Sequence, residues 1–243
     1  LIVGEYVNKE FEVPYDRIGV ITGPCHAEEV AMEKLSYLTI ASQSQEHAQF
    51  VADALDCRYI NTTVSDDIYG TEYAAVLKNV IAIACGMMRG AGFAENTRAA
   101  LIARGVDEMK ALAEALGGRR ETVTGLSGIG DLTLTCSSTT SRNMSLGVQL
   151  GQGSVRSDCF GGKPTVVEGE ANAISVTDLA RKLYVPMPIC ETVRGILHDD
   201  QPITESFARL WSEPIESEPR AMSLTFAHPT ALAEICTVEE RPR

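Results

Sequence analysis

A partial, doubly wound α/β sheet giving way to a mostly α-helical segment is the fold class this sequence predicts. Two observations carry it. Over residues 1–65, short apolar runs alternate with amphipathic stretches, as strands alternating with helices do. From Asp66 onward the apolar spacing becomes helical, and glycine clusters at residues 117–118, 125–130 and 151–162 punctuate it. The change of period sets a boundary near residues 64–67. The domains expected are therefore 1–65 and 66–211, with 212–243 as a tail.

Residues 17–22 (R-I-G-V-I-T) read as a strand ending at Gly23-Pro24. Residues 25–34 make a short helix, with Glu28 and Glu29 at the positive end of its dipole. A second strand is expected at 37–41, a helix at 45–55 and a third strand at 58–62. Helices follow at 68–88, 96–116, 141–150, 168–183 and 189–198. Residues 132–136 (L-T-L-T-C) alternate and read as a β-like run. The last residues hold Pro214, Pro219, Pro229 and Pro242 with little periodicity, and read as a loosely attached tail.

With 44% hydrophobic residues the chain can bury a sizeable core, and its low aromatic content (6%) makes that core one of Ala, Val, Ile and Leu. A formal charge of −12 argues against nucleic acid or an anionic membrane as partner, because no broad face neutralises phosphates. It leaves room for a small phosphate ligand held by two or three local cations. The seven cysteines are scattered and odd in number, and none forms a C-x-x-C pair. That pattern reads as reduced thiols in a cytoplasmic protein, with neither a disulfide framework nor a metal site. No signal peptide is visible, and a lysine or glycines break the longest uncharged stretches, so no membrane span is expected.

Lys78 is the only charge between Glu72 and Arg89. At helical spacing its neighbours are Thr71, Ala74, Ala75, Ala82 and Cys85, all small, while Val76, Leu77, Val80, Ile81 and Ile83 point elsewhere. The ammonium is expected to project over a low-walled groove that admits a small anionic or carbonyl ligand. A snorkelling lysine is the alternative, and a mid-helix position weakens it. Gly23-Pro24-Cys25-His26-Ala27-Glu28-Glu29 forms a strand-to-helix turn that brings free backbone N–H groups near a ligand, or an ordinary connection. The glycine-rich turn at 125–130 delivers Asp131, as a functional carboxylate or as a turn-stabilising one. Ser137-Ser138-Thr139-Thr140-Ser141-Arg142-Asn143 opens a helix with Ser141 at its N-cap, so hydroxyls, N–H groups and Arg142 assemble a phosphate cradle or a plain cap.

The order of these segments is more specific than any one of them. L-K-N-V-I-A-I-A, then G-F-x-x-N-x-x-A-A-L-I-x-R-G, then G-L-x-G-x-G-D-L-x-L-T-C-x-S-x-x-S-R-N, then V-V-E-G resembles the bacterial NAD(P)-dependent glycerol-3-phosphate dehydrogenase family. The resemblance covers roughly residues 11–210. It implies a Rossmann-like N-terminal part followed by a helical domain like the C-terminal domain of 6-phosphogluconate dehydrogenase. It implies Lys78 as the catalytic proton donor and acceptor for dihydroxyacetone phosphate and glycerol 3-phosphate. It also implies substrate contacts from Gly23, Cys25, Lys78, Asp131, Ser141, Arg142 and Asn143. Ala27, Arg142, Val166 and Glu168 match contacts to NAD or NADP. The helix at 96–116 is read as scaffolding.

The chain departs from that pattern in one major respect: it contains no G-x-G-x-x-G. The pairs Gly90/Gly92, Gly128/Gly130 and Gly151/Gly153 are followed at the next required place by Glu95, Thr133 and Arg156. In the family the fingerprint lies upstream of what this chain begins with. A thiol at Cys25 stands where the family has a hydroxyl. Two readings follow: a dehydrogenase whose substrate half is intact, or a non-catalytic remnant that binds a phosphate compound or self-associates. Losing early strands exposes apolar surface and favours homo-oligomers.

Overall fold

The computed structural model describes residues 2–212. The described residues up to Phe207 form one compact unit, and those from Ala208 belong to a second. The proline-rich tail expected from residue 212 lies, beyond Ser212 itself, outside the described residues.

Three strands make the sheet, in the order β1 (Gly19–Thr22), β2 (Ser36–Ser42), β3 (Ile60–Ser65). β2 and β3 run parallel, with Ile40 beside Val64, and helix α3 (Gln45–Leu55) forms the crossover. β1 runs antiparallel to β2, with Ile21 beside Ile40, which departs from the parallel arrangement of a doubly wound sheet. Between β1 and β2 the helix α2 has shrunk to Ala27–Ala31, and Glu33 turns the chain in the left-handed region at φ 57°. The connection, residues 23–35, is long enough for a parallel crossover but keeps little helix, and the chain returns antiparallel. Ile40, Ala48 and Ala52 close the small core between β2 and α3, with Leu38, Val51 and Leu55 packed around it.

A nine-residue helix, α1 (Val3–Phe11), precedes the sheet where no helix was expected. Its start is fixed from a distance. The Gly4 N–H donates to both carboxylate oxygens of the buried Glu72, at 3.2 and 3.3 Å.

The helical part is built around α4 (Ile68–Gly90), whose Asp67 cap accepts from the Gly70 N–H at 2.8 Å. Sixteen of its 23 residues are buried, because α5 (Glu95–Ala115), α7 (Asp131–Ser137), α8 (Arg142–Gly151) and α9 (Glu168–Lys182) pack around it. The four-residue α6 (Arg120–Val123) leads to α7, and α10 (Pro188–His198) and α11 (Ile203–Ser212) complete the described chain.

The small residues beside Lys78 do not form an open groove. Thr71, Ala74, Ala82 and Cys85 are fully buried, because α4 uses its small side chains for close helix contact. α4 and α8 meet at a seam of glycines. A Cβ on Gly86 would lie 2.3 Å from the Met144 carbonyl oxygen, and one on Gly147 2.2 Å from that of Ile83.

Residues 132–136, expected as a β-like run, are helical. Leu132 and Cys136, four apart, share the buried face. The hydroxyls of Thr133, Thr135 and Ser137 each donate to the carbonyl four residues back, at 2.7 Å. The alternating pattern therefore records hydroxyls folded back on their own helix, not a pleat.

Candidate active site

Lys78 leaves α4 with its side chain 19% exposed, and its ammonium meets the Asp131 carboxylate at 2.5 Å. Asp131 is 6% exposed at the side chain and opens α7. A single π-helical turn, Leu126–Gly130, aims it. Only glycine fits at the middle of that turn, since a Cβ on Gly128 would lie 1.9 Å from the Val123 carbonyl oxygen. The Thr135 hydroxyl approaches the same carboxylate at 3.4 Å while bonding the Asp131 carbonyl. Burial raises the Asp131 carboxyl above its usual range. Lys78 opposes this most strongly, then Thr135, then His26.

The turn after β1 packs beside Gly130, the residue before this carboxylate. Pro24 Cγ lies 3.6 Å from where a Cβ on Gly130 would stand, and the His26 charge is felt at Asp131. Gly23 adopts φ +137°, and a Cβ there would sit 2.5 Å from the Tyr37 carbonyl oxygen. The glycine is thus required by the neighbouring strand, a tighter demand than approach to a ligand. Cys25 is half-buried in the turn, and Ala27 is exposed at the start of α2.

A second group lies one residue along α4. The Asn143 amide donates to Asn79 Oδ1 at 3.0 Å and accepts from the Gly169 N–H at 2.9 Å. This buried chain ties α4 to the starts of α8 and α9. Asn143, expected to touch phosphate, has its carbonyl and one amide hydrogen occupied inside the protein. Ser141 caps α8 as expected, its hydroxyl accepting from the Met144 N–H at 3.3 Å. Arg142, 54% exposed at the side chain, pairs with Glu168, the first residue of α9. Val166 stands 75% exposed before them, while Val167 is buried as the α9 cap.

The structure thus assembles two groups on consecutive residues of α4. Lys78, Asp131 and the Gly23–Ala27 turn form one; Ser141, Arg142, Asn143, Val166 and Glu168 form the other around Asn79. An ammonium with a buried carboxylate can hold and pass a proton, and the first turn of α8 offers N–H groups and a guanidinium to an anion. Sequence reasoning missed Thr135 and His26 as neighbours of Asp131, and the role of Asn79. Their signal was adjacency alone: Asn79 follows Lys78, and Thr135 lies one turn after Asp131. Two shallow cavities, of about 350 and 300 Å³, flank the Asp66–Arg119 ion pair and do not touch Lys78.

Comparison with known proteins gives this arrangement a lineage. The family model of the NAD-dependent glycerol-3-phosphate dehydrogenase C-terminus matches residues 67–208, and that of the N-terminus residues 1–48. A glycerol-3-phosphate dehydrogenase (NAD(P)+) of Caulobacter vibrioides is 42% identical over 206 residues, covering 85% of this chain and 62% of that protein. One from Rhodospirillum rubrum is 40% identical over 219 residues, covering 90% and 62%. The crystal structure of the Coxiella burnetii glycerol-3-phosphate dehydrogenase superposes with a TM-score of 0.77 at 35% identity, over 80% of this chain and 60% of that one. A Plasmodium falciparum structure at 16% identity shares the fold, with a TM-score of 0.74. The chain spans about three fifths of the length of these bacterial relatives. It belongs to the NAD-dependent glycerol-3-phosphate dehydrogenase family.

Proposed function

We propose that this chain carries the substrate-binding and proton-transfer half of an NAD(P)-dependent glycerol-3-phosphate dehydrogenase. The reaction interconverts dihydroxyacetone phosphate and sn-glycerol 3-phosphate, feeding glycerophospholipid synthesis. The Lys78–Asp131 pair beside the start of α8 is the observation that supports it most directly.

Lys78 gives its proton to the C2 carbonyl oxygen as the carbonyl is reduced, and takes it back in the reverse direction. Asp131 keeps the ammonium oriented and balances its charge in a site nearly closed to water. The phosphate docks at the first turn of α8, where Ser141 and Arg142 stand, and Arg142 exchanges part of its bond to Glu168 for the phosphate oxygens. Asn143 acts one step back by holding α8 against Asn79 and Gly169. Gly23 and Cys25 wall the site from the sheet side.

NADH or NADPH, when bound, would supply the hydride for reduction, and the oxidised form would accept it in reverse. Arg142, Glu168 and the exposed Val166, with Ala27 across the turn, are the edges this chain offers to it. Its 243 residues contain no G-x-G-x-x-G turn to cradle a pyrophosphate. Cys25, Cys57, Cys85, Cys136, Cys159 and Cys190 are free thiols, which supports a cytoplasmic setting. Within the described residues β1 pairs only with β2, and Val3, Tyr6, Phe11 and Ile21 are exposed. These features support self-association. No helix among the described residues is long and apolar enough to cross a membrane.

The test is oxidation of NADH and NADPH by the full chain with dihydroxyacetone phosphate, beside calorimetric binding of sn-glycerol 3-phosphate. Turnover that Lys78→Ala abolishes, and binding that Arg142→Ala abolishes, are expected. A folded chain that neither binds nor turns over would sink the proposal. Binding without turnover in this chain would instead favour the phosphate-binding module.

A further inference from the structure

Three buried polar atoms on the elements around the Lys78–Asp131 pair have no hydrogen-bond partner among the described residues: Thr22 Oγ1, His26 Nε2 and Thr71 Oγ1. Thr22 ends β1, His26 follows in the turn, and Thr71 lies on the α4 stripe two turns before Lys78, where α4 packs on β1. Buried groups of this kind are rare, because leaving a donor or acceptor unmet forfeits the hydrogen bonds it made to water. Three of them fall on β1, the turn after it and α4.

His26 is the most telling of them. The turn that carries it packs Pro24 beside Gly130, the residue before Asp131, and Asp131 senses the imidazole charge. The imidazole therefore lies within electrostatic range of Asp131. Asp131 already has Lys78 on one oxygen and the Thr135 hydroxyl near the other. What remains for Nε2 is an oxygen delivered from outside.

We propose that His26 is a further substrate-binding residue, its Nε2 donating a hydrogen bond to an oxygen of the small phosphorylated polyol or ketone held at Lys78 and Arg142. The inference rests on the proposed function and adds to it a contact from the sheet side of the site. His26 enlarges the donor set that meets an oxygen-rich ligand, since Lys78 and Arg142 are each partly occupied by a carboxylate. It would also separate phosphorylated three-carbon ligands from inorganic phosphate, which reaches the α8 start without spanning to the turn.

The experiment uses the full chain with ¹⁵N-labelled histidine, titrated with sn-glycerol 3-phosphate and followed by imidazole NMR and calorimetry. The His26 Nε2 resonance, assigned by its absence in His26→Gln, is expected to shift on saturation with the ligand. His26→Phe is expected to weaken binding about tenfold, the loss of one buried hydrogen bond. His26→Gln, whose amide reaches the same place, is expected to restore most of it, with both variants melting like the parent. If the ligand binds and Arg142→Ala abolishes that binding, yet the His26 resonance does not move, the assignment of His26 is overturned and the proposed function stands. If the parent chain does not bind the ligand, both are overturned. The resonance is read in the unsubstituted chain, so an unfolded His26→Phe would not leave the question open.

Discussion

Lys78 Nζ and Asp131 Oδ2 stand 2.5 Å apart across 53 residues of chain, joining the middle of α4 to the first residue of α7. Whatever chemistry the pair performs, it carries a structural cost. Asp131 is buried enough for its carboxyl to be raised even with the lysine present. Removing the lysine strands it.

Lys78→Met is therefore expected to lower stability by about 3 kcal/mol near pH 7. Asp131 in that variant titrates still higher in the folded state than in the unfolded chain. The folded state then holds a proton the unfolded state releases, so the deficit shrinks as pH falls toward the unfolded carboxylate value. Lys78→Met combined with Asp131→Asn should recover most of the loss while binding no better. Urea unfolding at pH 5 and pH 7.5 checks this; a pH-independent deficit would exclude the stranded-charge explanation.

Glu108 gives a second, independent pH signature. From α5 it accepts from the backbone N–H groups of Ile189 at 2.6 Å and Cys190 at 3.2 Å, capping α10 after Pro188. Burial pushes its carboxyl up to about 7, with those two N–H groups the chief opposing pull. The folded value exceeds the unfolded one, so stability is greatest below the unfolded value and falls as pH rises toward 7. The expected loss is about 3 kcal/mol across that window, flat above it. Glu72 and Asp131 are raised too and add slope of the same sign. The difference between the parent and Glu108→Gln, followed by urea midpoints from pH 4.5 to 8, isolates Glu108. Parallel curves would contradict this assignment.

How much of this was legible depends on which force wrote the pattern. The helices at 68–88, 168–183 and 189–198 were visible because burial on one side of a helix repeats every three to four residues. Their observed ends moved by no more than two residues. The direction of β1 was not visible, because the run R-I-G-V-I-T carries no signal of which way a strand runs beside its neighbour. L-T-L-T-C misled for a local reason: threonine alternates as readily in a helix whose hydroxyls bond backward. Of the site, Lys78, Asp131, Ser141 and Arg142 were legible as odd charges and a cap signal. The resemblance matches Asn143 to a ligand contact, while its bonds to Asn79 and Gly169 depend on which way the amide turns, which no sequence shows. His26, Thr135 and Glu108 need tertiary neighbours before their chemistry can be seen. Glu108 reads as an ordinary helix surface charge until α10 is placed over it.

The glycine seam between α4 and α8 predicts a site defect from a distant methyl group. A Cβ on Gly147 would lie 2.2 Å from the Ile83 carbonyl oxygen and 2.8 Å from the Gly86 Cα. Both obstacles are backbone, so relief requires the helices to part. Gly147→Ala is expected to cost about 3 kcal/mol, at the upper end for overpacking. Because Lys78 is on α4 and Arg142 on α8, sn-glycerol 3-phosphate binding should weaken as well. Gly153→Ala is the control for backbone strain alone. It sits at φ +92° with nothing within 4 Å of its added Cβ, so it should lower the melting point without weakening the ligand.

Asn143 tests whether the start of α8 is held or merely capped. Its carbonyl accepts from the Gly169 N–H and its amide donates to Asn79 Oδ1, while Asn79 itself donates to the Ala75 carbonyl at 3.2 Å. Asn143→Ala leaves the Gly169 N–H and Asn79 Oδ1 unmet in a buried place, with an expected cost of about 2 kcal/mol. Asn143→Asp keeps the acceptor for Gly169 but sets a carboxylate oxygen against Asn79 Oδ1. Asn79 can answer only by turning its amide over and giving up Ala75. The aspartate should therefore be at least as damaging as alanine near pH 7 and milder at pH 4.5, where a protonated carboxyl can donate to Asn79. Ser141→Ala, which removes the cap and leaves this chain intact, should cost about 1 kcal/mol. Unfolding curves at the two pH values rank the three variants. If Ser141→Ala proved the most damaging, the α8 start would be fixed by its cap and not by Asn79.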